Sequence, residues 1–359
     1  MQTSTELTNT STDEVVAINK IIDTFLAGKR QEAIEISPYY QDLWAEIARL
    51  VSSGGKRLRP KLVLIGYRAL GGKDIEAILP AAAAMELLHQ GMLIHDDIID
   101  RDYVRYGVDN IAGSYRKAYA NLLEDETDRL HFSHSAAILA GDLMISESYL
   151  LMTEAKVAPE KIIAIQKLLN QSIYEVVGGE LLDTEAAFRG SQQISPETVA
   201  IYKTASYTFA LPLLVGAELA GATISEKLSL KEFARNLGIA FQLRDDIIGV
   251  FADESKSGKS SNSDILEGKH TYMVEQFYKL ASSQQSAKFN SLFGRHDASD
   301  AEVEEVRQLL QASGAVAATE QAIDNYEQRA RASWASIETD LSVEHQINKL
   351  IQVATKRDA

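Results

Sequence analysis

Cysteine is absent from this 359-residue chain, which excludes disulfides and thiolate chemistry. That absence is compatible with a reducing, cytoplasmic setting. Proline is scarce, at six residues, and no Gly/Ser-rich linker divides the chain. Met1 to Glu14 is rich in Thr and Ser and carries acidic residues. It lacks the basic segment and apolar run of a secretory signal. No uninterrupted apolar stretch reaches the length of about 18 residues that a membrane span needs. The nearest, Ile78 to Ile94, is broken by Glu86, His89 and Gln90, so no membrane span is expected. Positive charge is also short: 36 Lys and Arg face 51 Asp and Glu, a net charge of −15. A general nucleic-acid binder is excluded on that ground. An anionic substrate must be met by locally concentrated Lys and Arg or by a bound cation.

What is present is helical. The chain is 45% hydrophobic and 24% charged, enough apolar material for a sizeable core. Ala, Leu, Ile, Glu, Lys and Gln dominate and strand-like alternation is rare, so an all-α fold is expected. Residues 1–12 read as a disordered N-terminus, and 13–359 as one large helical domain. Ala158-Pro159-Glu160 and Ser195-Pro196-Glu197 are helix starts. Ser255–Ser263 reads as a flexible loop, and Gly107–Asp128 as an irregular polar region.

The chemistry is concentrated in two copies of Asp-Asp-Ile-Ile, at Asp96–Ile99 and Asp245–Ile248, each closing an apolar helical stretch. On a helix Asp96 and Asp100 share a face at i and i+4, with Asp97 beside them. One Asp pair at a helix end is usually only a solvated terminus. Three, after a buried-looking helix, form a hard oxygen set suited to Mg²⁺, which fills its remaining positions with water and phosphate oxygens. The second copy is thinner, because Gly249 stands four residues after Asp245 and the next carboxylate on that face is Asp253. Two further segments suit phosphates. Gly54-Gly-Lys-Arg-Leu-Arg-Pro60 combines close backbone approach with a dense positive spot from Lys56, Arg57 and Arg59. Gly258-Lys259, followed by Asp264 and Gly268-Lys269, reads as a basic lid beside the second cluster. Each of these alone would be a solvated surface turn. His89 and His95 flank the first cluster, and neither suits Mg²⁺ as a ligand. His89, two turns before Asp96, is placed to donate to a phosphate.

Taken in order, Gly54–Pro60, Glu86–Asp100, Gly141-Asp142, Gly178-Gly179 with Asp183, Lys203-Thr204, Phe241–Asp253 and Gly258–Lys269 resemble the trans-isoprenyl diphosphate synthases, or polyprenyl synthetases. The resemblance spans roughly residues 40–275. It implies a single all-α bundle around a central cavity. It also implies head-to-tail condensation of an allylic diphosphate with isopentenyl diphosphate, with Mg²⁺, three ions, bound with the allylic substrate. By that resemblance Asp96, Asp97, Asp100, Asp245 and Asp246 hold the metal. Arg105, Lys203, Lys259 and Lys269 hold the allylic diphosphate, and Lys56, Arg59 and His89 hold isopentenyl diphosphate. Thr204 and Gln242 sit by the allylic carbon that ionises. A homodimer is implied as well.

Three departures stand out. Tyr106 occupies the place of a second arginine, Gly249 that of the last Asp of the second cluster, and Glu180 that of a glutamine. An insertion follows Gly107. The first cluster also offers a ruler. A product tail growing down its helix would meet Gly91 first, then Leu87 and Leu88, then Ala81–Ala84. Gly91 where C15 synthases carry an aromatic residue points to C20-type or longer products, with close helix packing the bland alternative for a glycine there. The alternatives are a non-catalytic subunit of a heteromeric synthase and a class I terpene cyclase. The Ser/Thr and Glu of a cyclase's second motif are missing here.

Overall fold

The computed structural model describes residues 12–189, 194–251 and 262–356. These are helical almost throughout, and the one sheet among them is a two-residue-per-strand hairpin. The all-α expectation holds. By contacts the chain divides into two compact units. The first takes residues up to Leu64 and Gly72–Gln166; the second takes Ile65–Gly71 and the residues from Lys167 onward.

The first unit contains α1 (Thr12–Ala33), α2 (Pro38–Ser52), most of α3 (Leu58–Ala69) and α4 (Ile75–Ile99). After these come β1 (Val104–Arg105), β2 (Val108–Asp109), α5 (Ile111–Ala118), α6 (Glu126–Met152) and the start of α7 (Pro159–Arg189). Its axis is α4, which packs most extensively on α6. Ala81–Ala84 are fully buried, so the small side chains there sit in close packing rather than at a surface. Side-chain oxygens start the helices: Ser37 accepts from Tyr40 N–H, Asp74 from Ala77 and Asn110 from Gly113.

The segment expected to be irregular, Gly107–Asp128, is instead largely ordered. The hairpin turns through Tyr106 (φ 55°) and Gly107 (φ 77°), both left-handed as a tight two-residue turn requires. Asn110 then nucleates α5, which the polar composition had hidden. Arg49 fastens the segment through bonds to the Asp109 carbonyl (2.7 Å) and the Ser114 hydroxyl (2.9 Å). The rings of Tyr115, Tyr119 and Phe132 cover it.

The second unit holds the rest of α7, then α8 (Pro196–Val199), a π-helix (Ala200–Ala210) and α9 (Leu211–Ala220). It continues with α10 (Ile224–Phe251), α11 (Ser263–Leu266), α12 (Tyr272–Leu280), α13 (Ser283–Asn290), α14 (Asp300–Ala312), α15 (Ala315–Trp334) and α16 (Leu341–Thr355). Both proline-marked starts, at Pro159 and Pro196, are helix starts, although Ser195 makes no side-chain capping bond. Here α10 is the axis, packed on α15 and on the π-helix. Phe277, Phe289 and Phe293 stack in series near its distal end, at 4.2 and 4.5 Å between centroids. Each buried side chain of that size contributes about 1.5–3 kcal/mol, so this end of α10 is firmly seated.

Length and composition alone would let Ile75–Ile99, Glu126–Met152 and Pro196–Ala220 cross a membrane, because scattered polar residues interrupt an apolar run without removing its average character. The first is 78% buried within the protein, which makes it a core helix.

Candidate active site

The first carboxylate set lies where helix electrostatics disfavour it. Ile99 ends α4 and Asp100 is its C-cap, its N–H bonded to the Asp96 carbonyl at 2.8 Å. Carboxylates at the negative end of a helix dipole each cost about 0.3–1 kcal/mol. A cation reverses that sign. Asp96 is half-buried and Asp100 exposed, so both are accessible to one.

Asp97 is different. It is 2% exposed, and its Oδ1 accepts from Arg105 Nε (2.8 Å) and from Arg105 Nη2. Its Oδ2 is buried with no hydrogen-bond partner among the described residues. Burial raises the Asp97 pKa, and the Arg105 bonds only partly offset this. Asp97 therefore anchors Arg105 more than it offers itself to a metal. Arg105 loses solvation on burial, yet the bond and charge of Asp97 hold its pKa above the ordinary value. Its guanidinium also lies 3.8 Å from Asp96 Oδ2. β1 and the hairpin turn fix its position.

In the basic turn the three cations have separate fates. Arg57 is buried, bonded to Glu86 Oε1 (2.8 Å), the Gly54 and Val51 carbonyls and Asn19 Oδ1 (each 2.9 Å). It is a structural clamp, so of the three cations it is the one committed to holding the turn. Gly54 is needed because the Tyr106 ring rests on it; a Cβ there would lie 2.8 Å from Tyr106 Cγ. Desolvation, then the charges of Arg59, Arg105 and Arg57, push the His89 pKa well below the ordinary value. His89 is thus held in its neutral form within a positive field. His95 bonds the Ile138 carbonyl across α6 (3.1 Å), passing over Gly141, where any Cβ would overlap its ring. The expectation that it is no metal ligand is consistent with this.

The ruler residues are all packed. Leu87 and Leu88 are buried, and a Cβ on Gly91 would meet the Gly141 carbonyl and Ile145 Cγ1 at 3.0 Å. The space beside Gly91 is filled by α6, so the close-packing account of this glycine is the one the geometry supports.

In the second unit, Lys203 and Thr204 ride on the π-helix, an element that recurs at functional sites because it widens the turn and re-aims side chains. Lys203 Nζ lies 2.9 Å from Glu180 Oε2 and 2.6 Å from Asp183 Oδ2, both on α7. Gly179 permits this approach. Thr204 Oγ1 donates to Gln242 Oε1 (2.5 Å), and Gln242 Nε2 donates to Asp246 Oδ1 (2.9 Å). Asp246 is buried, and desolvation pushes its pKa up to about 7 against the pull of Lys269 and Gln242. Lys269 is held charged despite burial by Asp264, Asp183 and Asp246. Asp245 is half-buried and the more accessible of its pair. Lys259 and Asp253 lie outside the described residues.

The Glu180–Lys203–Asp183 clamp leaves no signal in the sequence, because only folding brings these residues together. The Gln242–Asp246 link was within reach as an i, i+4 pair. The donor sets fit Mg²⁺: hard carboxylate oxygens at the ends of two helices, with imidazoles and thiolates absent from both.

The polyprenyl synthetase family model matches residues 41–310. A geranylgeranyl diphosphate synthase of Methanosarcina mazei is 30% identical over 77% of this chain and 78% of its own. One of Sulfolobus acidocaldarius is 32% identical over 81% of each. Among solved structures, a geranylgeranyl pyrophosphate synthase of Corynebacterium glutamicum, complexed with isoprenyl diphosphate and magnesium, superposes with a TM-score of 0.88. It is 29% identical, with 95% of this chain and 98% of that one covered. The chain belongs to the polyprenyl synthetase family, and with it to the trans-prenyltransferases.

Proposed function

We propose that this enzyme condenses isopentenyl diphosphate head-to-tail with an allylic diphosphate, giving an all-trans prenyl diphosphate of C20 type or longer and releasing diphosphate. One observation carries the reading. In the first unit the carboxylate set and a positive locus share Arg105, which contacts Asp97 and Asp96 and acts electrostatically on His89 together with Arg59. A diphosphate held through metal and a second one held without it need adjacent sites of this kind. A cyclase, with one diphosphate, needs only the first.

Asp96, Asp100 and Asp245 would hold Mg²⁺, three ions in the family pattern, and Asp97 and Asp246 would back them from buried positions. When bound, the metal neutralises charge developing on the departing diphosphate. Arg105 in the first unit, and Lys203, Lys259 and Lys269 in the second, would each supply positive charge to a bound diphosphate. Lys56, Arg59 and neutral His89 orient isopentenyl diphosphate. The Thr204 hydroxyl and Gln242 carbonyl present oxygen dipoles to the allylic cation without a nucleophile strong enough to trap it. The proton lost from the coupled product passes to the departing diphosphate.

Leu87 and Leu88 are the candidate limits on product length, whereas Gly91 accommodates α6. The protein acts in the cytoplasm as a homodimer. On α6, Leu139 and Leu150 recur at three-turn spacing and remain exposed, an apolar stripe that a second copy would cover. The test is incubation of purified protein with Mg²⁺, isopentenyl diphosphate and C5, C10 or C15 primers, with products sized by chromatography. Prenyl diphosphates of C20 or longer support the reading. Hydrocarbons would replace it with a cyclase, and no turnover with a non-catalytic subunit.

A further inference from the structure

Tyr106 occupies the place where a second arginine was expected, and it is held in a costly conformation. Its φ of 55° lies in the left-handed region. A side chain of this size enters that region only where its surroundings hold it there, at about 1–3 kcal/mol. Its ring is seated on Gly54. A Cβ added to Gly54 would lie 2.8, 3.1 and 3.2 Å from Tyr106 Cγ, Cδ1 and Cβ. The Tyr106 Cβ is fixed by the hairpin backbone and cannot swing aside. We propose that Tyr106 is a positioning residue: it closes a circuit of side chains that fixes the Gly54–Arg57 turn, and with it Lys56, for isopentenyl diphosphate. The proposal rests on the prenyltransferase reading above.

The circuit starts at Arg57, whose Nη1 donates to the Gly54 carbonyl (2.9 Å) and to Glu86 Oε1 (2.8 Å). Glu86 Oε1 also accepts from Gln90 Nε2 at 3.2 Å. Gln90 in turn hydrogen-bonds the Tyr106 side chain, whose ring returns to Gly54. Glu86 and Gln90 are fully buried, so water does not weaken these links. Three members directly follow residues assigned to substrate: Arg57 follows Lys56, Gln90 follows His89 and Tyr106 follows Arg105. The turn needs such a brace, because Gly55 (φ 112°) and Arg57 (φ 50°) are left-handed as well. Tyr106 brings no charge of its own. Burial, then the Glu86 carboxylate, raise its pKa and keep the phenol neutral. The ring therefore orders neighbouring cations where an arginine would add one. Arg105 has a separate anchor in Asp97, so the circuit bears chiefly on the basic turn.

The test measures KM for isopentenyl diphosphate and for a C15 allylic primer separately, with circular dichroism reporting the fold. Tyr106→Asn tolerates the left-handed backbone but removes the ring. It should raise KM for isopentenyl diphosphate about 10-fold and leave KM for the primer within about 2-fold of the parent. Tyr106→Phe keeps the ring on Gly54 and should return most of that loss. Gly54→Ala strikes the same contact from the turn. It should raise the same KM by a similar factor, and it carries the test if Tyr106→Asn fails to fold. The double variant Gly54→Ala with Tyr106→Asn should be no worse than either single change, because the added methyl enters the space the ring has left. A folded Tyr106→Asn protein with the parent's KM values, or one in which both KM values rise together, would overturn the proposal and leave the prenyltransferase reading standing. So would additive losses in the double variant. A parent protein that makes no prenyl diphosphate overturns both readings at once.

Discussion

Adjacent glycines on α7 allow a matched experiment on the element that carries Lys203 and Thr204. A Cβ on Gly178 would meet nothing within 4 Å. On Gly179 it would lie 2.6 Å from the Tyr202 carbonyl carbon and nearer still to Lys203 N. Both of those atoms are backbone, so no rotamer change relieves the overlap, and α7 and the π-helix must separate by about 1 Å to restore ordinary contact. Overpacking of this kind costs about 3 kcal/mol. Alanine regains about 1 kcal/mol of helix propensity at either site. Gly179→Ala should therefore lose about 2 kcal/mol, and Gly178→Ala should gain up to about 1 kcal/mol. At about 2–4 °C per kcal/mol, the two Tm values should straddle the parent, with Gly179→Ala about 4–8 °C below it. Because the displaced backbone is that of Lys203 itself, Gly179→Ala should also lower kcat/KM by about 10²-fold, the scale of a 1 Å misplacement. Thermal unfolding followed by circular dichroism, with steady-state kinetics, reads both effects. A Gly179→Ala protein as stable as Gly178→Ala would refute the claim that close approach at Gly179 positions the π-helix.

Other outcomes follow from the same geometry. Because the folded-state pKa of His89 is depressed, the unfolded chain takes up a proton near pH 6.5 that the folded protein refuses. Its stabilising share is full above that pH and erodes by up to about 1.4 kcal/mol per pH unit below it; urea titrations of parent and His89→Asn at pH 7.5 and 5.5 should show a flatter acid limb in the variant. Glu180→Gln leaves Lys203 its Asp183 partner but removes one competing charge, so KM for the allylic substrate should fall about 3- to 10-fold; a raised KM would show that the Glu180 carboxylate helps to bind it. Asp97→Asn should depress diphosphate affinity by releasing Arg105, and Asp97→Asn with Arg105→Ala should be little worse than either single change; additive losses measured by calorimetry would refute the coupling. Leu139→Asp should yield monomers by light scattering if the α6 stripe pairs with itself.

Much of the fold was legible because its signals are local. The helix formers and the proline-marked starts at Pro159 and Pro196 act within a turn or two of themselves. The exception, α5, is short, and its polar face matches the composition of a loop; only the Asn110 cap betrays it. Gly91 was ambiguous for a different reason. A glycine signals that something comes close, and the chain cannot say whether that is a substrate tail or the α6 backbone. Only the direction of its Cβ decides.

The Asp-Asp-Ile-Ile repeats show the same limit at the site. Reading the chain treats both aspartates of each pair alike, since neighbouring carboxylates have the same chemistry. Folding separates them. In both copies the first, Asp96 or Asp245, is half-buried, and the second, Asp97 or Asp246, lies under the surface on a hydrogen-bonding partner. That partner is Arg105 in one case and Gln242 in the other. Two carboxylates side by side at one helix end cannot both be desolvated and charged without large cost. Giving the inner one a donor removes that conflict and converts it into a fixed strut. Through Arg105 the strut fixes a cation, and through Gln242 it fixes Thr204. Each pair therefore couples an accessible carboxylate to a buried arm that positions a neighbouring side chain.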